Sequence, residues 1–287
     1  MHPFAYARPA TLAELFALLD EHGDNACLLA GGTDLVVELR NRSRQPAVVI
    51  DLKRVRELQP GIREDADWVR ISATSVMADI EDDPVMRTRF PALAEAAATV
   101  GSIQIRNRAT LAGNICHASP AADTLPALLV YGAQVDLASG RRSRRLPLDE
   151  FLLGRGSVAL RPGELLTSIA LPIQPDRHGA AFARITRRRG VDLATINLCC
   201  LVDTTGRTRF AYGAVGPRAF LVADESGRLA APETTDAIKD ELLLRLIARA
   251  SPISDLRGSR EYRQAMLLVM SRRALRTALH RLAPGPA

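Results

Sequence analysis

The chain has 287 residues, 47% of them hydrophobic and 24% charged, with a formal net charge of +6, proportions that fit an ordinary globular protein of one large domain or two smaller ones. Aromatic residues make up only 4%, so the core must be built from Leu, Val, Ile and Ala, and no apolar run approaches a membrane span or a signal core, which points to the cytoplasm. Almost all the basic residues are arginines, Lys53 and Lys239 being the only lysines, and without interleaved aromatics or a recognised motif they do not indicate a nucleic-acid partner.

Thr11, Leu12, Ala13 and Glu14 read as a capping box. Leu12, Leu15, Phe16 and Leu19 then share a helical face that Gly23 ends. Cys27 to Ala30 reads as a short strand, Gly31-Gly32 as a turn, and Thr33 or Asp34 as the cap of a helix running to about Arg40. Ala47 to Leu52 is a second buried strand, which completes a small βαβ unit of about 55 residues with its leading helix. Trp68 to Ala73 alternates as a strand, and Thr74-Ser75 opens a helix to about Asp82. Pro91 to Val100 is helical up to Gly101.

Ser102 to Asn107 leads into Thr110–Leu129, TLAGNICHASPAADTLPALL. There Ala112-Gly113-Asn114 reads as a sharp turn, and Ser119-Pro120 as a second turn before a helix over Ala121–Val130. Asp123 falls in the first turn of that helix, where a carboxylate is favoured. Ala133 to Ala138 is a strand. Arg141, Arg142, Arg144 and Arg145 read as a solvated hairpin tip. Leu165 to Leu171 is a strand ended by Pro172.

Ile173 to Gly179 is polar and turn-rich, the best domain boundary. Beyond it Ala181–Ile185, Ala194–Asp203 and Thr208–Val215 read as an antiparallel sheet, Thr235–Ala250 and Ser259–Arg281 as long helices, and Ala283–Ala287 as a loose tail. Of the four cysteines, Cys27, Cys116, Cys199 and Cys200, no two have C-x-x-C spacing, so no iron–sulfur or zinc site is expected in this chain. Cys199-Cys200 read as buried thiols of a reduced compartment.

Two stretches carry chemistry. Strand, Gly31-Gly32 turn and helix start form an anion cradle suited to a phosphate or pyrophosphate, but the spacing is neither a Rossmann fingerprint nor a Walker A loop. Thr110–Asn114 offers a second set of backbone N–H groups close to a ligand. His117 is the only histidine inside a motif. A polar side chain near a cofactor and a proton-transfer group both remain open for it.

Together AGGTDL and VGSIQIRNRATLAGNICHASPAADTLPALL resemble the FAD-binding medium subunit of the molybdenum hydroxylases, the family of xanthine dehydrogenase, carbon monoxide dehydrogenase and 4-hydroxybenzoyl-CoA reductase. Phe4–Pro9, Gly163–Thr167, Arg188–Ala194 and Pro252–Arg263 extend the resemblance over nearly the whole chain. One departure is Ala112, where the family usually has a glycine. The resemblance implies an α+β fold: a two-subdomain FAD-binding domain of the PCMH type over residues 1–175 (1–55 and 56–175), then a small antiparallel sheet with helices over 176–287.

It further implies that FAD contacts Leu28, Leu29, Ala30, Gly31, Gly32, Thr33, Asp34, Leu35, Val100, Thr110, Gly113, Asn114, Ser119, Asp123, Leu166 and Arg184. Arg184 is then a cation near the flavin ring. The implied role is electron transfer within a heterotrimer: from a molybdenum cofactor on a large subunit, through [2Fe-2S] clusters on a small subunit, to FAD and on to NAD⁺ or another acceptor. A stand-alone FAD-dependent oxidoreductase is the alternative, weakened by the lack of a substrate domain.

Overall fold

The computed structural model describes residues 1–283, so the expected tail lies, past Ala283, outside the described residues. The chain opens with β1 (Ala5–Ala7), α1 (Leu12–His22), β2 (Ala26–Leu29), α2 (Leu35–Arg40) and β3 (Val48–Asp51). The three strands form a parallel sheet in the order β1-β3-β2, with β3 central and fully buried. The βαβ unit is present, and β1 is an addition that its three residues, two exposed and one half-buried, did not announce. Leu15, Phe16 and Leu19 of α1 pack on Val48, Ile50, Leu52, Val55 and Leu58. Each such side chain contributes about 1.5–3 kcal/mol on burial. The Thr11 hydroxyl accepts from the Glu14 amide at 3.2 Å, but the Glu14 carboxylate accepts from the Ala10 amide, not from Thr11 as a full capping box requires.

The middle part runs β4 (Ile62–Glu64), β5 (Trp68–Ser72), α3 (Met77–Asp82), α4 (Pro84–Arg89), α5 (Pro91–Ala98), α6 (Ile103–Arg106), α7 (Leu111–His117), α8 (Thr124–Val130), β6 (Gln134–Ala138), β7 (Ser143–Pro147), α9 (Leu148–Phe151), β8 (Leu152–Gly154), β9 (Ser157–Val158) and β10 (Leu165–Pro172). Its main sheet is antiparallel, in the order β4-β5-β10-β6-β7. The helix expected from Thr74-Ser75 starts only at Met77. Both hydroxyls are buried and bind the 58–61 backbone instead, Thr74 at Leu58 O and Ser75 at both ends of Gly61. Of the four arginines at the expected hairpin tip, Arg144 and Arg145 lie within β7. Arg144 donates to both Glu164 oxygens at 2.7 Å, and Arg145 to Asp136 at 2.6 Å.

The last part is β11 (His178–Ile185), β12 (Ile196–Asp203), β13 (Thr208–Gly213), β14 (Phe220–Asp224), α10 (Asp236–Ile247) and α11 (Arg260–Leu282). The strands form an antiparallel meander to which β14 adds a fourth, unexpected edge. The sheet is buried on both faces. Cys200, Val202, Phe210 and Tyr212 pack with Leu267, Met270 and Leu275 of α11, while Cys199, Leu201 and Ala211 join the core around α8. At Gly179 a Cβ would stand 2.0 Å from Ala278 O, so glycine lets α11 lie directly on β11. The middle and last parts are thus docked through α8, beside the site described next.

Candidate functional site

A cavity of about 840 Å³ opens beside the parallel sheet, within the size range of cofactor sites. Its first wall is the carboxyl end of β2 and the turn into α2, with Leu28, Ala30, Gly31, Gly32, Thr33, Asp34 and Leu35 all lining it. The carboxyl ends of parallel strands are where open sheets receive ligands. Gly32 has φ +78°, which only glycine adopts without strain. Gly31 is required for space: a Cβ there would meet Arg108 O at 2.0 Å. That contact presses the turn against the segment leading into α7. Among the described residues, no amide from Gly31 to Leu35 donates to another group of the chain. Asp34 occupies the N-cap position of α2, yet its carboxylate caps nothing.

The second wall is α7. The sharp turn expected at Ala112-Gly113-Asn114 is instead the first turn of this helix, because Thr110 caps it: its Oγ1 accepts from Gly113 N at 3.1 Å. Ala112 has ordinary helical backbone, so its methyl group is tolerated. The Leu111, Gly113 and Asn114 amides are paired, which leaves the Ala112 amide free among the described residues. Asn114 Oδ1 accepts from the Thr124 hydroxyl at 2.7 Å, keeping its NH₂ available to the cavity it lines. Val100, Leu165 and Leu166 give the cavity an apolar side, and Thr110, Gly113 and Ser119 also line it.

Asp123 stands at the N-cap of α8, which starts three residues later than expected, at Thr124, and it lines the cavity. Its Oδ1 accepts from Asn197 Nδ2 at 2.9 Å and its Oδ2 from Arg184 Nη1 at 2.6 Å. Burial pushes its carboxyl up, against the pull of Asn197 and Arg184. Arg184 itself does not line the cavity. It lies behind Asp123, its charge spent on that carboxylate and on Thr99 O. Leu29, too, is not among the residues that line the cavity.

The loop between β11 and β12 supplies a third wall through Arg188, Val191, Asp192 and Leu193. Arg187 grips both oxygens of Asp192 at 2.8 and 3.1 Å and holds its carboxyl down to about 2. Cys116 and His117 line the cavity from the end of α7. Burial raises the Cys116 thiol to about 12, which disfavours the thiolate. The loop and Asn197 were missed as site residues. An asparagine inside the apolar run Ile196–Val202 was the available signal, since a buried amide must find partners.

Free amides on both walls of one space, those of Gly31–Leu35 and that of Ala112, beside an apolar side, match a dinucleotide that joins a pyrophosphate to planar rings. The residues therefore fit FAD. Among the described residues no group of three or more His, Cys, Asp or Glu could hold a metal ion, and no helix is long and apolar enough to cross a membrane.

Residues 2–174 match the family model of the FAD binding domain in molybdopterin dehydrogenase, and residues 181–278 that of the CO dehydrogenase flavoprotein C-terminal domain. The chain is 34% identical to the carbon monoxide dehydrogenase medium chain of Hydrogenophaga pseudoflava, over 98% of each chain. It is 30% identical to the xanthine dehydrogenase FAD-binding subunit of Escherichia coli O157:H7, over 97% of each. Its fold is similar to the solved structure of a carbon monoxide dehydrogenase from Hydrogenophaga pseudoflava that lacks the Mo-pyranopterin moiety of its cofactor, with a TM-score of 0.89 at 32% identity, covering 99% of this chain and 100% of that one.

Proposed function

The chain belongs to the family of FAD-binding medium subunits of the molybdenum hydroxylases, and on that premise we propose that it is the electron-relay subunit of a multi-subunit dehydrogenase. In this reading a large subunit holds the molybdenum cofactor, a small subunit holds [2Fe-2S] clusters, and NAD⁺ or another acceptor takes the electrons in the cytoplasm. When bound, FAD supplies the ability to exchange electrons singly or in pairs.

The protein's own part is binding, orientation and exclusion of water. The observation that carries the reading is the convergence on one cavity of the unpaired Gly31–Leu35 amides and the unpaired Ala112 amide in the first turn of α7. Those amides would hold the pyrophosphate, as helix and strand ends hold anions. Asp123, fixed from behind by Arg184 and Asn197, would accept from hydroxyl groups of the cofactor. Leu166 and Val100 would cover apolar ring surface and keep water away. Residues 1–175 form the binding unit in this scheme. Residues 176–287 form a second unit that contributes the props of Asp123.

The test uses the purified full chain, free of iron and molybdenum. It should take up one FAD per chain, and purines, aldehydes or carbon monoxide should then fail to bleach the flavin absorbance. Dye reduction by NADH would identify NAD⁺ as the acceptor. Pull-down of the tagged chain from its host should recover two partner chains with iron and molybdenum. Bleaching of the single chain by an organic substrate would establish a stand-alone oxidoreductase instead.

A further inference from the structure

The three parallel strands are joined near their carboxyl ends by a line of polar groups. Asp51, the last residue of β3, is 2% exposed. Its Oδ2 accepts from the Tyr6 hydroxyl on β1. Its Oδ1 accepts from the Lys53 amide at 3.0 Å and pairs with the Lys53 ammonium at 2.6 Å. The same ammonium donates to Ala30 O, just beyond β2, at 3.4 Å. Burial pushes the Asp51 carboxyl up, but the Lys53 and Tyr6 donors outweigh it and hold it below its usual range. The aspartate is therefore charged and fixes the ammonium in place.

Ala30 O is one edge of a peptide unit whose other edge is the Gly31 N–H. No cis peptide occurs among the described residues, and a planar trans unit points its C=O and N–H in opposite directions. Lys53 holds the carbonyl edge. The Arg108 backbone blocks Gly31 from shifting, because even a Cβ would not fit between them. The Gly31 N–H has no acceptor among the described residues, and both Ala30 and Gly31 line the cavity.

Resting on the reading of this cavity as a FAD site, we infer that Lys53, anchored by Asp51, is a positioning residue that turns the Ala30–Gly31 peptide so that its N–H meets the cofactor's anionic group. A cation on the carbonyl also polarises the peptide and strengthens its N–H as a donor. Residue type fits the task. Only Lys53 and Lys239 are lysines in an arginine-rich chain. A compact ammonium on a flexible stem reaches oxygens on two strands where a rigid guanidinium fork is built for one carboxylate.

The experiment titrates FAD into the cofactor-free full chain by quenching of flavin fluorescence, alongside thermal melting of the same samples. Lys53→Met should weaken FAD binding about tenfold, the size of one charge-assisted hydrogen bond. Lys53→Arg, which keeps the charge but not the compact ammonium, should recover only part of that loss. Tyr6→Phe removes the other Asp51 donor without touching the peptide, so it should lower the melting temperature and leave FAD affinity unchanged. If Lys53→Met does not fold, Lys53→Gln, with a shorter neutral donor, should show the same weakening. Wild-type affinity in the folded Lys53 variants, or affinity that falls in step with melting temperature in Tyr6→Phe as well, would mean that Lys53 only ties the sheet. A wild-type chain that takes up no FAD would overturn the cofactor reading, and this inference with it.

Discussion

Arg184 Nη1 lies 2.6 Å from Asp123 Oδ2, and the same nitrogen donates to Thr99 O at 3.0 Å. One guanidinium on β11 thus holds the start of α8 and the end of α5. With side-chain exposures of 15% and 9%, the pair is largely out of water, and removing one partner leaves a charge without compensation. Arg184→Ala should therefore cost about 2–4 kcal/mol, toward the low end for buried pairs because Asn197 still serves Asp123. It should also weaken FAD binding through Asp123. Chemical denaturation with and without FAD checks both. A loss of FAD affinity with full stability would mean that Arg184 acts on the cofactor directly.

At Gly31 the obstacle to a side chain is backbone, Arg108 O at 2.0 Å from a built Cβ. Gly31→Ala must therefore separate the two walls of the cavity. It should lower stability by about 1–3 kcal/mol, as overpacking does, and abolish stoichiometric FAD retention. Gly61→Ala, with no atom of the described residues beyond its chain neighbours within 4 Å of its Cβ, is the control and should be near neutral. Gly32→Asp should lose FAD for two reasons. It strains a φ of +78° and adds a carboxylate beside the amides meant for phosphate. Absorbance of the purified variants reads these outcomes directly.

The parallel unit was legible because strand, Gly31-Gly32 turn and helix stand in sequence order, so local rules suffice. The cavity's two amide walls were legible for the same reason. What failed was the geometry at Ala112-Gly113-Asn114, where glycine and asparagine suggest a bend. The Thr110 hydroxyl settles that contest in favour of helix by capping it. The position of Arg184 and the role of Asn197 were hidden for a different cause. Both depend on strands more than sixty residues from Asp123 in sequence, and no local pattern reports which side chains a distant sheet presents. β14 went unseen because Phe220–Asp224 follows a Gly-Pro turn and is short.

Acid should release the loop before α11. The Arg257 and Arg263 guanidiniums hold the Asp255 carboxyl well below its usual range, and Arg263 is 2% exposed. Because the folded-state value is depressed, this pairing stabilises the fold above the ordinary carboxylate range and is lost as pH falls toward the folded value. Asp255→Asn should thus melt earlier than wild type at pH 7, with the gap narrowing as the pH drops below about 4. Melting curves between pH 7 and pH 2.5 check this. A gap that stays constant over that range would show that the charge on Asp255 is not what stabilises the loop.

Asn197 and Gly213 face each other across β12 and β13, and their relation yields a sharper prediction than either residue alone. Asn197 is fully buried. Its Nδ2 donates to Ala121 O and Ala122 O at 3.3 Å and to Asp123 Oδ1 at 2.9 Å. Its Oδ1 has no hydrogen-bond partner among the described residues and lies where a Cβ on Gly213 would come within 2.1 Å. Glycine at 213 is thus what lets the amide reach the carboxylate. Asn197→Ala removes a donor from a buried acid and opens a small cavity, a loss of about 1–3 kcal/mol. Gly213→Ala forces the Asn197 side chain out of its contacts, a loss of similar size. In the double variant the new methyl group meets the space that Asn197 vacated, so the second substitution should add little. The coupling should be at least about 1 kcal/mol in the favourable direction, well beyond the scatter of independent sites. Urea denaturation of the four chains measures it. FAD affinity should follow Asp123, falling in all three variants alike, because each leaves the carboxylate with Arg184 as its only side-chain donor among the described residues. Strict additivity of the two single losses would show that Oδ1 and the Gly213 backbone do not constrain each other.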